Sequence, residues 1–289
     1  MRPSRERILF LSPWLVSFAL FSAYPILFSL GVSFTRFDPF HGGLVGWAGA
    51  ENYRQVFSDP LFWRSFANTV WFVLGTVPAT AALALALALL LDRAGRMRGI
   101  LRTGYFIPSV VSLAVISLVF KYIYSKQGPL NLAAALVGGS GREWLLDPNY
   151  ALGAIMVMDI WESLGYYAIF YLAALQTVPR ELYDAAKVDG AGHLALFRNV
   201  TLPWIRPVVV FVVVVNTIRA FQVFVEVVIM TRGGPMGSTM TLVYYMYERA
   251  FQRIEIGQAS AVAFVVFVLI VAFALVQVGL LRKVKASVG

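Results

Sequence analysis

The 289-residue chain contains no cysteine and only two histidines, His41 and His193. Without cysteine there is no disulfide, no thiolate metal site and no sulfur nucleophile, and two histidines do not build a histidine-based metal cluster. No metal site is expected. Charge is scarce too: Asp, Glu, Lys and Arg make up 13% of the chain against 59% hydrophobic residues, and the mean hydropathy is +0.73. Such values lie outside the soluble range and mark an integral membrane protein. The charge that is present is unbalanced, 24 Lys and Arg against 15 Asp and Glu. A nucleic-acid ligand would need those cations gathered on one soluble face, whereas here they are dispersed between hydrophobic segments. The partner they indicate is a lipid bilayer, not a nucleic acid.

A helix needs about 20 apolar residues to cross the hydrocarbon layer. Six segments qualify: residues 8–34, 66–91, 104–124, 151–175, 204–230 and 257–281. The expected fold class is an all-α membrane protein of six transmembrane helices, a single domain over residues 1–289. The first segment follows Arg2, Arg5 and Arg7 as a signal peptide would, but its apolar run is too long and lacks a small-residue cleavage site, so it reads as a retained anchor. With the N-terminus cytoplasmic, that side holds Arg2, Arg5, Arg7, Arg93, Arg96, Arg98, Arg102, Arg180, Lys187, Arg198, Arg206, Arg282, Lys283 and Lys285. The opposite side holds only Arg36, Arg54, Arg64, Lys126, Arg142, Arg232, Arg249 and Arg253. The excess of cations on the first side places both termini in the cytoplasm. Residues 35–65 and 125–150 then form the longer external connections, with room for short interfacial helices but not for a separate domain.

Between the fourth and fifth segments lies a polar, glycine-punctuated block, 176–203. Pro179 presets the dihedral of a first helical turn, and Glu181 and Asp184 sit where the positive end of a helix dipole favours carboxylates. A short helix from Arg180 to Asp189 is expected. Ala185 and Ala186 let it approach another surface closely, while Gly190 and Gly192 end it and turn the chain. Leu202-Pro203 should then redirect the backbone into the fifth span, because the residue before proline is biased away from helix. By physics alone this block reads either as a surface connector or as a docking element.

The spacing of Asp184-Ala185-Ala186, Gly190 and Val200-Thr201-Leu202-Pro203 resembles the cytoplasmic coupling loop of bacterial ABC importer permeases. The family pattern has Glu-Ala-Ala, a glycine four residues after the second alanine, and Ile-x-Leu-Pro at its end. Here Asp184 stands for the glutamate and Val200 for the isoleucine, and Asp189-Gly190-Ala191 and Phe197 also fit. Asn52-Tyr53, Leu175-Gln176-Thr177-Val178-Pro179, Gly233-Gly234-Pro235 and Gly257-Gln258-Ala259-Ser260-Ala261 look like the sugar-importing branch, in particular its maltose and glycerol-phosphate first-permease type. The resemblance implies an ABC type I importer permease fold, multi-pass in the bacterial cytoplasmic (inner) membrane. It implies that Glu181, Tyr183, Asp184, Ala185, Ala186, Asp189, Gly190 and Ala191 dock in a cleft of an ATPase subunit. It also implies a second, related permease as heterodimer partner, two cytoplasmic ATPases that carry the ATP and Mg, an external solute-binding protein and a sugar substrate. No cofactor is expected on this chain.

Polar groups inside the spans are the second candidate site. Asn216, Arg219, Gln222 and Glu226 lie at offsets that share one broad helical face, and Asp159, Glu162 and Tyr166 do likewise on the fourth span, with Trp161 and Gly165 adjacent. Counting about 1.5 Å per residue puts Arg219 and Glu162 at similar depth near the midplane. An unpaired ion there costs at least about 2.5 kcal/mol, so these groups should face protein or a wet cavity. They read either as a path for sugar hydroxyls, with Trp161 or Tyr166 stacking on a ring, or as a brace in which Arg219 pairs with Glu162 or Glu226 and touches no ligand. Lys121 is expected to snorkel.

Residues 233–239 have the flavour of a phosphate-binding loop but lack its lysine, and His193 has no nucleophile near it in sequence. No enzyme activity is expected. Two rival functions remain: an ion-coupled secondary transporter using Asp159, Glu162 and Glu226, and a membrane enzyme acting on lipids or glycans at Asp159 and Glu162. Neither needs a docking loop.

Overall fold

The computed structural model describes residues 5–40, 42–93 and 98–286. His41, Arg2 and Arg96, which entered the expectations on metal ligands and orientation, lie outside the described residues. The helices are α1 (Arg5–Phe18), α2 (Tyr24–Ser33), α3 (Glu51–Ser58), α4 (Pro60–Arg93), α5 (Arg98–Val110), α6 (Leu113–Ile123), α7 (Pro129–Leu136), α8 (Ala151–Leu175), α9 (Arg180–Val188), α10 (His193–Leu196), α11 (Leu202–Phe221), α12 (Val225–Met230), α13 (Leu242–Tyr247) and α14 (Ile256–Ala286). Wide π-helical turns at Ala19–Ala23, Phe197–Thr201 and Glu248–Gln252 interrupt three of the helical stretches.

The fold is not purely helical. After α2 the chain forms an antiparallel hairpin, β1 (Thr35–Asp38) with β2 (Gly43–Trp47). Gly42 and Gly43 take φ of +93° and +89° at its turn, a conformation that a Cβ would penalise. Four helical stretches among the described residues are long and apolar enough to cross a membrane: Phe10–Ser33, Pro60–Arg93, His193–Phe221 and Ile256–Gly279. α8 has the bounds of the expected fourth span, but Asp159 and Glu162 dilute its apolar character.

Two expected spans are broken. The third turns by 96° between α5 and α6. Pro108 lies two residues before the end of α5, and Ser112, with ψ of 128°, leaves helical geometry before its carbonyl accepts the first amides of α6. The fifth stops at Phe221, and α12 begins only after Phe224, whose φ of −148° and ψ of −56° lie outside the helix. In that gap the Val223 carbonyl accepts from Thr241 Oγ1 at 3.1 Å, which satisfies a group the broken helix would leave bare. The expected kink at Leu202-Pro203 is absent. Leu202 is helical, and the five-residue π turn before it widens the ladder ahead of the proline, which has no amide to place in it.

The chain forms two compact units interleaved in sequence, Met1–Trp63 with Tyr245–Val268, and Arg64–Tyr244 with Leu269–Gly289. In the first, the Asn52 amide donates to the carbonyls of Ser33 and Thr35 at 2.8 and 2.9 Å, tying α3 to the end of α2. Gly257 lies against the same amide, where a Cβ would come within 2.7 Å of Asn52 Nδ2. Arg249, buried, pairs with Asp59 and with Glu255 at 2.6 Å, donates to Gln258 at 2.9 Å and lies 5.0 Å over the Tyr245 ring. Burial pushes the Asp59 carboxyl up, but the Leu61 amide, the Tyr245 hydroxyl and the Arg249 guanidinium outweigh it and hold it below the usual carboxylate value.

The second unit is built around α8. Ala84 and Ala88, both fully buried on α4, pack with Tyr167, Ala168 and Tyr171 of α8 and Ile205 and Val212 of α11. Small residues one turn apart allow that close approach.

A carboxylate whose folded pKa is depressed adds stability that is complete above its ordinary pKa and is lost as pH falls through the folded value. Thermal unfolding of wild type and Asp59→Asn should therefore differ by a constant amount at neutral pH, and the gap should close below about pH 4. A gap independent of pH would mean that Asp59 contributes packing rather than charge.

Candidate functional site

α8, α11 and α12 bring the expected intramembrane groups together. Arg219 Nη2 lies 2.5 Å from Glu162 Oε2 and 3.2 Å from Asp159 Oδ1. Glu226, buried in the first turn of α12, completes the cluster and lies within electrostatic reach of both Arg219 and Asp159. The break at residues 222–224 lets Glu226 do this from a separate short helix whose amide end favours a carboxylate. The same break removes Gln222 from the stripe: it is exposed, whereas Asn216, Asp159, Glu162 and Glu226 are buried.

Neighbouring candidates take different roles. Trp161 is 46% exposed and packs on Phe120, with ring centroids 5.2 Å apart. Tyr166, half-exposed, packs edge-on against Tyr167 and Phe170. Gly165 is a crossing point: a Cβ there would collide with the Tyr105 carbonyl of α5. At the same crossing Ser109 Oγ donates to the Glu162 carbonyl at 2.6 Å and accepts from the Tyr166 amide at 3.2 Å. Sequence reading missed Ser109, although its position just after Pro108 was a signal. Asn216 sits fully buried on α11 without a hydrogen-bond partner for either side-chain atom. Lys121 does more than snorkel, since its Nζ caps α12 by donating to the Ile229 carbonyl at 3.0 Å.

The polar block forms the expected helix, α9, with Pro179 in extended geometry before it. Its end is a two-bond lock. The Gly190 amide donates to the Lys187 carbonyl at 3.0 Å and the Ala191 amide to the Ala186 carbonyl at 2.9 Å, with Gly190 at φ of +80°. The outer face leaves Glu181, Leu182, Asp184, Ala185, Lys187 and Val188 exposed, while Tyr183 turns inward so that its hydroxyl meets Thr201 Oγ1 at 2.9 Å. Asp189 is exposed beside the lock, and Ala186 and Ala191 are half-buried. Val188 and Leu194 are 88% and 79% exposed, uncovered apolar surface on an otherwise polar loop.

α9 is thus a short helix locked at its end and held between two long helices. Residues 82–286 match the profile of the binding-protein-dependent transport system inner membrane component family. The chain belongs to that family. It is 35% identical over 276 residues to the sulfoquinovosyl glycerol transport system permease protein SmoG of Agrobacterium fabrum, covering 95% of this chain and 90% of that one. It is likewise 35% identical over 283 residues to the lactose transport system permease protein LacF of Rhizobium radiobacter, covering 96% and 94%. Among solved structures, a chain of a bacterial alginate ABC transporter in complex with an alginate pentasaccharide-bound periplasmic protein superposes with a TM-score of 0.85 at 21% identity, covering 97% of this chain and 96% of that one. The permease fold is thus shared at low identity. This permease is a transport subunit, not an enzyme.

The cluster and the exposed amide separate two roles for the polar residues. Arg219→Ala leaves Glu162 and Asp159 without their cation, and should cost about 3 kcal/mol, the lower end for a buried pair, because a third of the Arg219 side chain is exposed. Gln222→Ala strands nothing and should leave assembly intact. Thermal stability of the purified assembly, read beside uptake of several sugars, distinguishes them. If Gln222→Ala transports normally and the Arg219→Ala defect follows assembly alone, the cluster is a brace.

Proposed function

We propose that this permease is one half of the translocation path of a bacterial ATP-driven importer for a sugar or sugar derivative, an oligosaccharide, a disaccharide or glycerol phosphate. The observation that carries the reading is α9, a helix locked at its end by the Gly190 and Ala191 amides, on a segment whose sequence resembles the family's coupling loop. The sugar class is supported by the relatives, whose names specify sulfoquinovosyl glycerol and lactose transport. In this reading α8 and the bent α5–α6 pair join the four long apolar stretches to make six spans, with both termini cytoplasmic in the bacterial inner membrane. A related permease completes the path as heterodimer partner, two cytoplasmic ATPases bind ATP and Mg, and a solute-binding protein delivers the sugar from outside.

Closure of the ATPases would pull on Glu181, Tyr183, Asp184, Ala185, Ala186, Asp189, Gly190 and Ala191, and the spans would open around the region of Asp159, Glu162, Asn216, Arg219, Gln222 and Glu226, with Trp161, Gly165 and Tyr166 beside it. ATP binding biases the equilibrium only through contacts that differ between the two states. The pairing of Arg219 with Glu162 and Asp159 weakens the ion-coupled alternative, because two of its three candidate ligands are already occupied by a guanidinium.

Gly190→Leu places a side chain at φ of +80° and should open the lock that ends α9. Reconstituted importers carrying it should lose ligand-stimulated ATP hydrolysis at least tenfold while retaining membrane insertion; Ala186→Trp should do the same by bulk. Normal stimulation in both variants would remove the docking role. The orientation is checked separately in this cysteine-free chain. Ser140→Cys should react with an impermeant thiol reagent in intact spheroplasts and Lys187→Cys should not, and the reverse pattern would invert the topology.

A further inference from the structure

Four side chains on four helices carry buried polar atoms that no described residue satisfies. They are Thr80 of α4, Tyr171 of α8, Asn216 of α11 and Gln277 of α14. The two hydroxyls, both atoms of the Asn216 amide and the Gln277 Oε1 are sealed from the surface without a hydrogen-bond partner. Thr80 is an exception in its class. The buried Thr69, Thr76, Ser117, Ser163 and Thr217 each donate to the carbonyl four residues earlier, and Thr80, equally buried, does not.

All four residues belong to the second compact unit, and contacts within it fix their level. Gly75 of α4 lies against Met156 of α8, where a Cβ would come within 3.1 Å of Sδ, and Ala84 and Ala88 pack further along with Tyr167 and Tyr171, so α4 and α8 run the same way. Arg219 of α11 bonds Glu162 of α8. Counting about 1.5 Å per residue from these contacts puts Thr80 and Asn216 within about one turn of the level of Glu162. Gln277 joins through the neighbour of Asn216, since its Nε2 donates to Thr217 Oγ1 at 2.8 Å. Tyr171 stands deeper on α8, and helical side chains lean toward their N-terminus, back toward that level. Between them the buried Tyr167 hydroxyl, likewise short of a bond of ordinary geometry, is within electrostatic reach of Arg219.

We propose that Thr80, Tyr171, Asn216 and Gln277 hold a short chain of ordered water inside the helical core of the second unit, and that Tyr167 continues it toward the Arg219 cluster. One bare polar group in a core is tolerable. Bare atoms on four helices at once, with no bulk water in the membrane to rescue them, would together rival the whole stability of an ordinary domain. The chemistry of the set selects the guest. The Asn216 nitrogen only donates, its oxygen and that of Gln277 only accept, and the hydroxyls do both. A cation accepts nothing from the Asn216 nitrogen, and a sugar or a residue of another subunit does not reach atoms sealed from the surface. Water donates, accepts and is small enough to be enclosed. The chain is then a polar reserve beside the ion pairs, at hand to take up the carboxylates and the guanidinium when α8 and α11 part. That consequence rests on the proposed transport role, whereas the site itself does not.

The test is radiolytic hydroxyl-radical labelling of the intact, nucleotide-free assembly in phospholipid nanodiscs, read by mass spectrometry. Radicals formed from bound water oxidise the side chains that hold it even where bulk solvent does not reach. The reference is Tyr124, a buried tyrosine whose hydroxyl bonds to the Ala154 carbonyl at 3.0 Å. Tyr167 and Tyr171 should be oxidised about threefold faster than Tyr124, and Asn216→Leu should bring both down to its rate. Equal rates for the three tyrosines in wild type overturn the proposal, and so do rates for Tyr167 and Tyr171 that Asn216→Leu leaves unchanged. Labelling that changes when choline replaces sodium in the buffer overturns it in favour of an ion site. If Asn216→Leu does not assemble, Thr80→Val, of nearly the same shape as threonine, carries the same comparison. Thermal unfolding is the second check. Replacing an amide satisfied by water strands the water's other partners, so Asn216→Leu should unfold below wild type; a raised Tm means that the amide was bare and overturns the water site. Neither readout depends on transport, so failure of the water site and failure of the import reading give different results.

Discussion

Inside a bilayer no water is available to rescue an unpaired polar group, and this constraint shapes the parts of the molecule that depart from simple spanning helices. Where the fifth span is interrupted, side chains take up carbonyls that a continuous helix would have paired. The bend after Val110 is accompanied by Ser109 bonding to α8. The gap after Phe221 is closed by Thr241. The short α12 that follows is capped by Lys121 at one end and carries Glu226 at the other. Arg219 is the charge counterpart of this rule, held by Glu162 and Asp159 from a different helix.

Much of this was legible in the sequence because hydrophobic runs and charge are one-dimensional signals. The bounds of α8 and α9 follow from apolar length, Pro179 and Gly190, and the pairing of Arg219 with Glu162 follows from equal depth in two helices. The breaks were less visible. Gln222-Val223-Phe224 contains neither glycine nor proline, so nothing local announces that α11 ends there; the side chain that takes up the Val223 carbonyl, Thr241, lies 18 residues away. Pro108 was a local warning of the third span's bend, but proline within an apolar helix is common enough in membranes to pass without a break. The Asp59–Arg249 pair is separated by 190 residues and has no depth argument to join it. Asn52 and Gly257 are instructive in another way: they were noticed as motif fragments, and the structure supplies the reason, an amide that clamps two carbonyls and a glycine that makes room for it.

The two roles argued for this permease meet mechanically. α8 ends at Leu175, five residues before α9 begins, and α9 ends five residues before the helical stretch His193–Phe221 begins. That stretch is continuous for 29 residues, the π turn included, and would extend about 44 Å at ordinary helical rise. Arg219 rides near its far end, while Glu162 and Asp159 ride on α8. The two sides of the ion-paired cluster are therefore carried by the two helical stretches that flank α9. The locked exit of α9 and the Tyr183 to Thr201 bond, which reaches into the π turn itself, tie α9 to the start of that stretch. In the proposed coupling role, a displacement of α9 would reach both sides of the cluster, and the cluster's charges would make any separation costly unless polar groups replaced the lost contacts. Water or sugar hydroxyls are the groups suited to that replacement.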